Sequence, residues 1–82
     1  MDLGERIHLL RRRLGWTQRA LAQAAALHSN TLARIERAEV PDPGGKLIAR
    51  LAVALETSTD YLLGLTEDAT IDRMSREGRQ HA

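Results

Sequence analysis

Leu3, Ile7, Leu10 and Leu14 step by four, three and four residues. That apolar stripe predicts a first helix over residues 2–14. Gly15 follows it as a stop that takes a left-handed backbone. Leu21 and Ala25, flanked by Ala22 and Ala24, predict a second helix from about Gln18 to Ala25, with Thr17 as its N-cap. Leu32 and Ile35 predict a third, from about Ser29 to Arg37. Trp16 and Leu21 have the spacing of a hydrophobic staple around the Thr17 cap, and Leu27 and Leu32 repeat it around His28. Residues 38–45, AEVPDPGG, hold two prolines and two glycines and break the pattern as a loop. Ile48, Leu51, Ala52 and Leu55 then predict a fourth helix from about Gly45 to Leu55. Ser58 suits the cap of a short fifth helix, STDYLLGL, with Asp60 in its first turn.

The pattern therefore divides the chain into a helical unit, residues 1–65, and a polar tail, residues 66–82. The tail admits two readings, a disordered polar segment or a short, frayed sixth helix capped by Thr66 and stopped by Gly78 with Ile71 and Met74 as its only large apolar groups, and the helix is slightly favoured. The expected fold is all-α, with five helices and this sixth as an addition. Between the second and third helices the chain bends within a few residues, which an alanine at position 26 does at a cost of roughly 1–2 kcal/mol if its backbone is left-handed.

Once the apolar stripe of the third helix is assigned to a core, Ser29, Asn30, Ala33, Arg34 and Arg37 remain on its polar side. Amide and guanidinium groups there suit hydrogen bonding to something outside the fold. Charge supports the same half of the chain. Residues 1–40 carry seven arginines against four acids, a balance of +3, while residues 41–82 carry five basic and seven acidic groups, a balance of −2. Eighty-two residues leave little interior for an enzyme pocket and its scaffold. No cysteine is present and His8, His28 and His81 lie far apart, so neither a metal site nor a cofactor is expected. His28 and Ser29 are adjacent, with no third group to orient them, so His28 reads as a helix-capping or surface histidine. Gly44-Gly45-Lys46 lacks the spacing and preceding strand of a phosphate loop, and Glu36 with Glu39 has ordinary surface spacing. No catalytic role is assigned. The absence of a membrane-length apolar run and of a signal-peptide pattern in MDLGERIHLL leads to the expectation of a soluble cytoplasmic protein.

The run T-Q-x-x-L-A-x-x-A-x-L-x-x-x-T-L-x-R-I-E over residues 17–36 resembles the helix-turn-helix of the lambda-repressor-like (Cro/cI, or XRE) DNA-binding proteins. The likeness continues through Pro43 and LIARLAVALETSTDYLLGL, which is similar to that family's fourth and fifth helices, so it covers about Leu3 to Leu65. It implies a transcriptional regulator, most simply a repressor, that reads a pseudo-palindromic operator on double-stranded DNA. Gln18 matches the leading glutamine of the family's second helix, beside Thr17 at an amide-rich helix end suited to phosphate. Ser29, Asn30 and Arg34 match base-facing positions; Asn suits adenine, Arg suits guanine, and Ala33 suits only a thymine methyl. Arg37 and Arg12 join them as DNA-contacting candidates. Arg11 and Glu36 match a family ion pair that clamps the first helix to the third. The chain departs from the pattern in having Ala26 for the usual glycine, His28 for the usual Ser or Thr, and Glu39 and Asp42 where basic residues often sit.

Tyr61, Leu62, Leu63 and Leu65 offer more apolar surface than one short helix needs, and they are expected to form a homodimer interface extended by Ile71 and Met74. The short chain has no room for a separate sensor domain, so ligand control is not expected here. Two other readings remain open at this level. One is an antitoxin that binds a toxin protein and represses its own operon, and the other is a helical interaction module without DNA binding.

Overall fold

In a computed structural model, which describes residues 1–70, the chain forms five helices in the expected order. They are α1 (Leu3–Arg13), α2 (Gln18–Ala24), α3 (Ser29–Glu36), α4 (Gly45–Ala54) and α5 (Thr59–Leu62). The described residues contain no strand. Each helix buries the stripe its spacing marks: Ile7 and Leu10 from α1, Leu21 and Ala22 from α2, Leu32 and Ile35 from α3, Ile48, Leu51 and Ala52 from α4. Tyr61 and Leu62 close the core from α5. Leu14 is the exception, because it is the C-cap of α1 and lies exposed beyond the last turn that faces the core. Trp16 and Leu27, the outer members of the two staples, are partly buried against the same core.

The helix starts are capped unequally. Asp2, Thr17 and Ser58 each accept a backbone N–H three residues on, at 2.8, 3.0 and 3.0 Å, which satisfies amides that the helix cannot pair itself. His28 occupies the cap position of α3, but its side chain makes no capping bond and is exposed. The helix ends are uniform. In all five, the N–H two residues past the cap returns to the carbonyl of the third residue from the helix end, the signature of a Schellman turn. The pivot residue is left-handed each time. Gly15 and Gly64 fill it in α1 and α5, whereas Ala26, Ala38 and Glu56, with φ of 58°, 60° and 56°, fill it in α2, α3 and α4.

Two close approaches fix how α3 meets α1 and how α2 meets α4. Gly4 in α1 lies against the end of α3, where a Cβ would fall 2.7 Å from the Glu36 carbonyl oxygen and nearer still to that of Ile35. Arg50 of α4 donates from Nε to the Ala25 carbonyl at 2.8 Å, closing the end of α2. After α5, residues 66–70 are irregular rather than helical. Thr66 accepts from Asp68 N in a local turn, while Thr57 Oγ1 donates to the Ala69 carbonyl at 2.6 Å. Arg6 reaches the same segment, donating to Glu67 Oε1 at 2.9 Å with its guanidinium 4.7 Å above the Tyr61 ring. That ion pair raises the Arg6 pKa above its ordinary value, against the opposing effect of burial. The expected helical start at Thr66 is therefore replaced by an irregular segment tethered at Arg6 and Thr57, and Ile71, Met74 and Gly78 lie outside the described residues.

Candidate nucleic-acid interface

The two sides of α3 carry different chemistry. On the inner side, Glu36 collects donors from three places. Arg11 donates from Nε to Oε2 at 2.8 Å and from Nη2 to Oε1 at 3.0 Å, a two-point contact. Gln18 at the start of α2 donates from Nε2 to Oε1 at 3.2 Å. His8 Nδ1 lies 3.0 Å from Glu36 Oε1 and 3.1 Å from Arg11 Nη2, so that nitrogen donates to the carboxylate in one tautomer and accepts from the guanidinium in the other. Arg11 also donates from Nη1 to the Trp16 carbonyl at 2.8 Å. The Arg11 and Glu36 side chains are 9% and 4% exposed. Burial pushes the Glu36 carboxyl up, but the hydrogen bonds from Arg11, His8 and Gln18 outweigh it and hold the group below its ordinary pKa. One carboxylate thus joins α1, the start of α2 and the end of α3.

The outer side of α3 faces solvent. Ser29, Asn30, Arg34 and Arg37 are exposed and Ala33 is half-buried. Thr17 is also exposed, but its hydroxyl is used as the α2 cap, which leaves the free backbone amides of that helix start as the groups available there. Gln18 is half-buried, and one N–H of its amide is committed to Glu36, leaving the other for an outside acceptor. Arg12 is exposed on α1 and makes no side-chain hydrogen bond or ion pair among the described residues. Arg34 and Arg37 converge on Glu39. Arg37 donates from Nε to Oε2 at 2.6 Å and from Nη2 to Oε1 at 3.2 Å, and Arg34 Nε stands 4.0 Å from Oε1. This pairing raises the Arg37 pKa and lowers that of Glu39.

Of the four residues expected at an apolar interface, Tyr61 and Leu62 belong to the core. Leu63 and Leu65 are 52% and 74% exposed, and Val53 on α4 is exposed as well. His8 and Gly4 were not legible as parts of this region, and Glu39 was visible as an acid in the loop but not as the partner of Arg37. The signals were present but ambiguous: His8 lies one turn before Arg11, Gly4 is a glycine inside a helical pattern, and Glu39 lies two residues past Arg37. No helix among the described residues is long and apolar enough to cross a membrane.

A family model described as a helix-turn-helix domain matches residues 2–65. The chain is 36% identical over 67 residues to the HTH-type transcriptional regulator ImmR of Bacillus subtilis (strain 168), a match covering 82% of this chain and 52% of ImmR. It therefore spans about half the length of that relative. Among solved structures, the P22 c2 repressor in complex with a synthetic operator superposes with a TM-score of 0.73 at 35% identity, covering 77% of this chain and 94% of that one. The solution structure of the DNA-binding domain of the P22 c2 repressor gives a TM-score of 0.75 at 33% identity, covering 85% and 88%. The SinR–SinI complex matches at a TM-score of 0.74 and 24% identity, covering 95% of this chain and 75% of that one, and shares the fold.

Proposed function

This chain belongs to the lambda-repressor-like helix-turn-helix family of DNA-binding proteins, and from that premise we propose that it is a transcriptional repressor reading operator DNA through α3. One observation carries the assignment of the reading face. The charged residue on the inner side of α3, Glu36, is tied to α1 and α2 by four short contacts from Arg11, His8 and Gln18, so the outer side is held out on a rigid mount. In this reading α3 enters the major groove. Asn30 and Arg34 contact base edges, Ser29 and Ala33 lie alongside, and Arg37 and Arg12 meet the phosphate backbone. The start of α2, with Thr17 and Gln18, directs backbone amides and the free Gln18 N–H at a phosphate.

A single domain contacts few base pairs, so the working unit is a homodimer on two half-sites whose centres lie about 34–36 Å apart. Leu63 and Leu65 are the apolar residues offered for that pairing, with Tyr61 and Leu62 supporting them from the core. In this reading the protein acts in the cytoplasm and needs no catalytic step. No observation favours the antitoxin reading or the DNA-free interaction module over this one.

Selection of bound fragments from a random pool of duplexes tests the proposal. Enrichment of two half-sites related by a twofold, spaced about 10–10.5 base pairs centre to centre, is expected. A pool without any enriched sequence overturns it. Sedimentation of the free protein tests the interface: Leu63→Asp should shift a dimer toward monomer, and an unchanged profile removes α5 from the contact.

A further inference from the structure

The end of α3 carries a built-in anion. At the Schellman turn Ala38 is left-handed and the Glu39 N–H returns to the Arg34 carbonyl at 2.9 Å, which folds the chain back along the helix. The Glu39 carboxylate is thereby set beside the two arginines that close the outer face. It meets the Arg37 fork at two points, 2.6 and 3.2 Å, and stands 4.0 Å from Arg34 Nε. The planar fork that Arg37 presents to Glu39 is the same one with which arginine grips a phosphate. Resting on the DNA-binding reading above, the geometry points to Glu39 as a tethered competitor for phosphate, holding down the affinity of Arg37 for duplex backbone.

The consequence falls on duplex of any sequence, since a phosphate contact carries no sequence information. Binding to arbitrary sequence is supplied almost wholly by phosphate contacts and the counterions they release, so withholding one arginine lowers it directly. At a cognate site, base-edge contacts from α3 supply part of the affinity and do not depend on the Arg37 fork. Glu39 thus holds down the phosphate share of the affinity at every site, so that binding leans on the base-edge contacts of α3, in the position where an acid looked merely unhelpful in the sequence.

Fluorescence anisotropy with a labelled duplex of mixed random sequence, titrated across salt concentrations, reads this out. Glu39 is exposed and substitution does not threaten the fold. E39Q should raise affinity for the random duplex roughly 3- to 10-fold at about 0.1 M salt and steepen the slope of log K against log salt by about 1, the value of one added phosphate contact. In an R37A background the same E39Q change should give little of that gain. An unchanged affinity and slope for E39Q, with salt-sensitive binding by the parent protein, overturns the inference while leaving the DNA-binding reading intact. An equal gain with and without Arg37 also overturns it, since only general charge repulsion would then be at work. Failure of both the parent protein and E39Q to bind any duplex removes the reading and the inference together.

Discussion

Two arginine–glutamate pairs flank the end of α3, and their local geometry is nearly the same. Arg11 meets Glu36 at 2.8 and 3.0 Å on the inner side, and Arg37 meets Glu39 at 2.6 and 3.2 Å on the outer side. Their surroundings differ. The inner side chains are 9% and 4% exposed and share their charge with His8, Gln18 and the Trp16 carbonyl, whereas the outer ones are 56% and 47% exposed. Bond length alone therefore says little about what a pair does. Out of water, removing one partner strands a charge that nothing else solvates; in water, solvent and salt take over at once. The inner pair builds the mount, and the outer pair remains free to exchange partners.

The largest effect expected from this contrast is on Glu36. Glu36→Ala should cost about 3–5 kcal/mol of folding stability in urea titrations, because Arg11 is left buried without its carboxylate. Replacing both partners, Arg11→Met with Glu36→Leu, should cost distinctly less than the single change. A single change that leaves the urea midpoint in place would make the inner pair no different from the outer one.

Acid sharpens the same contrast. Glu36 has a folded pKa below its ordinary 4.5, so its stabilising contribution is fully present above that value and is lost as pH falls through the lower folded one. Stability should therefore decline below about pH 4.5, and Glu36→Gln should flatten that decline far more than Glu39→Gln does. Thermal melts of the three proteins across this range provide the check.

A smaller effect separates the turn from the pair it positions. Ala38 holds a left-handed backbone in a Schellman turn, and Ala38→Gly should raise stability by about 1 kcal/mol while keeping Glu39 in place. Ala26→Gly should do the same at the end of α2. Loss of stability in either variant would show that the alanine methyl packs usefully where the backbone is strained. Smallest of all, Arg37→Ala should leave the unfolding midpoint unchanged, since its partner returns to water.

Much of this was legible because helix spacing is a local property. The stripes Ile7–Leu10, Leu32–Ile35 and Ile48–Leu51 lie in the core where their periods put them, and Thr17 and Ser58 cap as their side chains allow. What escaped depends on a second segment. Gly4 matters because the end of α3 comes within reach of its missing Cβ, which spacing within α1 does not reveal. Arg6 reads as one more charge until Glu67, sixty-one residues on, meets it. Among Tyr61, Leu62, Leu63 and Leu65, composition marks a cluster but not its orientation, and a four-residue helix gives too short a period to decide. The first two turn inward and the last two outward. Ala38 and Glu56 carry no sign of a left-handed backbone, because hydrogen bonds back to the preceding helix impose it whatever the residue. Glu39 was visible as an acid out of place; that it is aimed at Arg37 follows only from that turn.

In the proposed function the outer face of α3 reads bases, with Arg34 its main discriminating contact. Binding of Arg34→Ala to the selected operator, and to the set of its single-base variants, tests this most directly. A loss of roughly 1–3 kcal/mol on the best operator is expected, with preference relaxed at one base position, whereas Arg12→Ala should weaken all sequences about equally. An Arg34→Ala protein with unchanged affinity and unchanged preference at every position would mean that α3 does not read bases in this way.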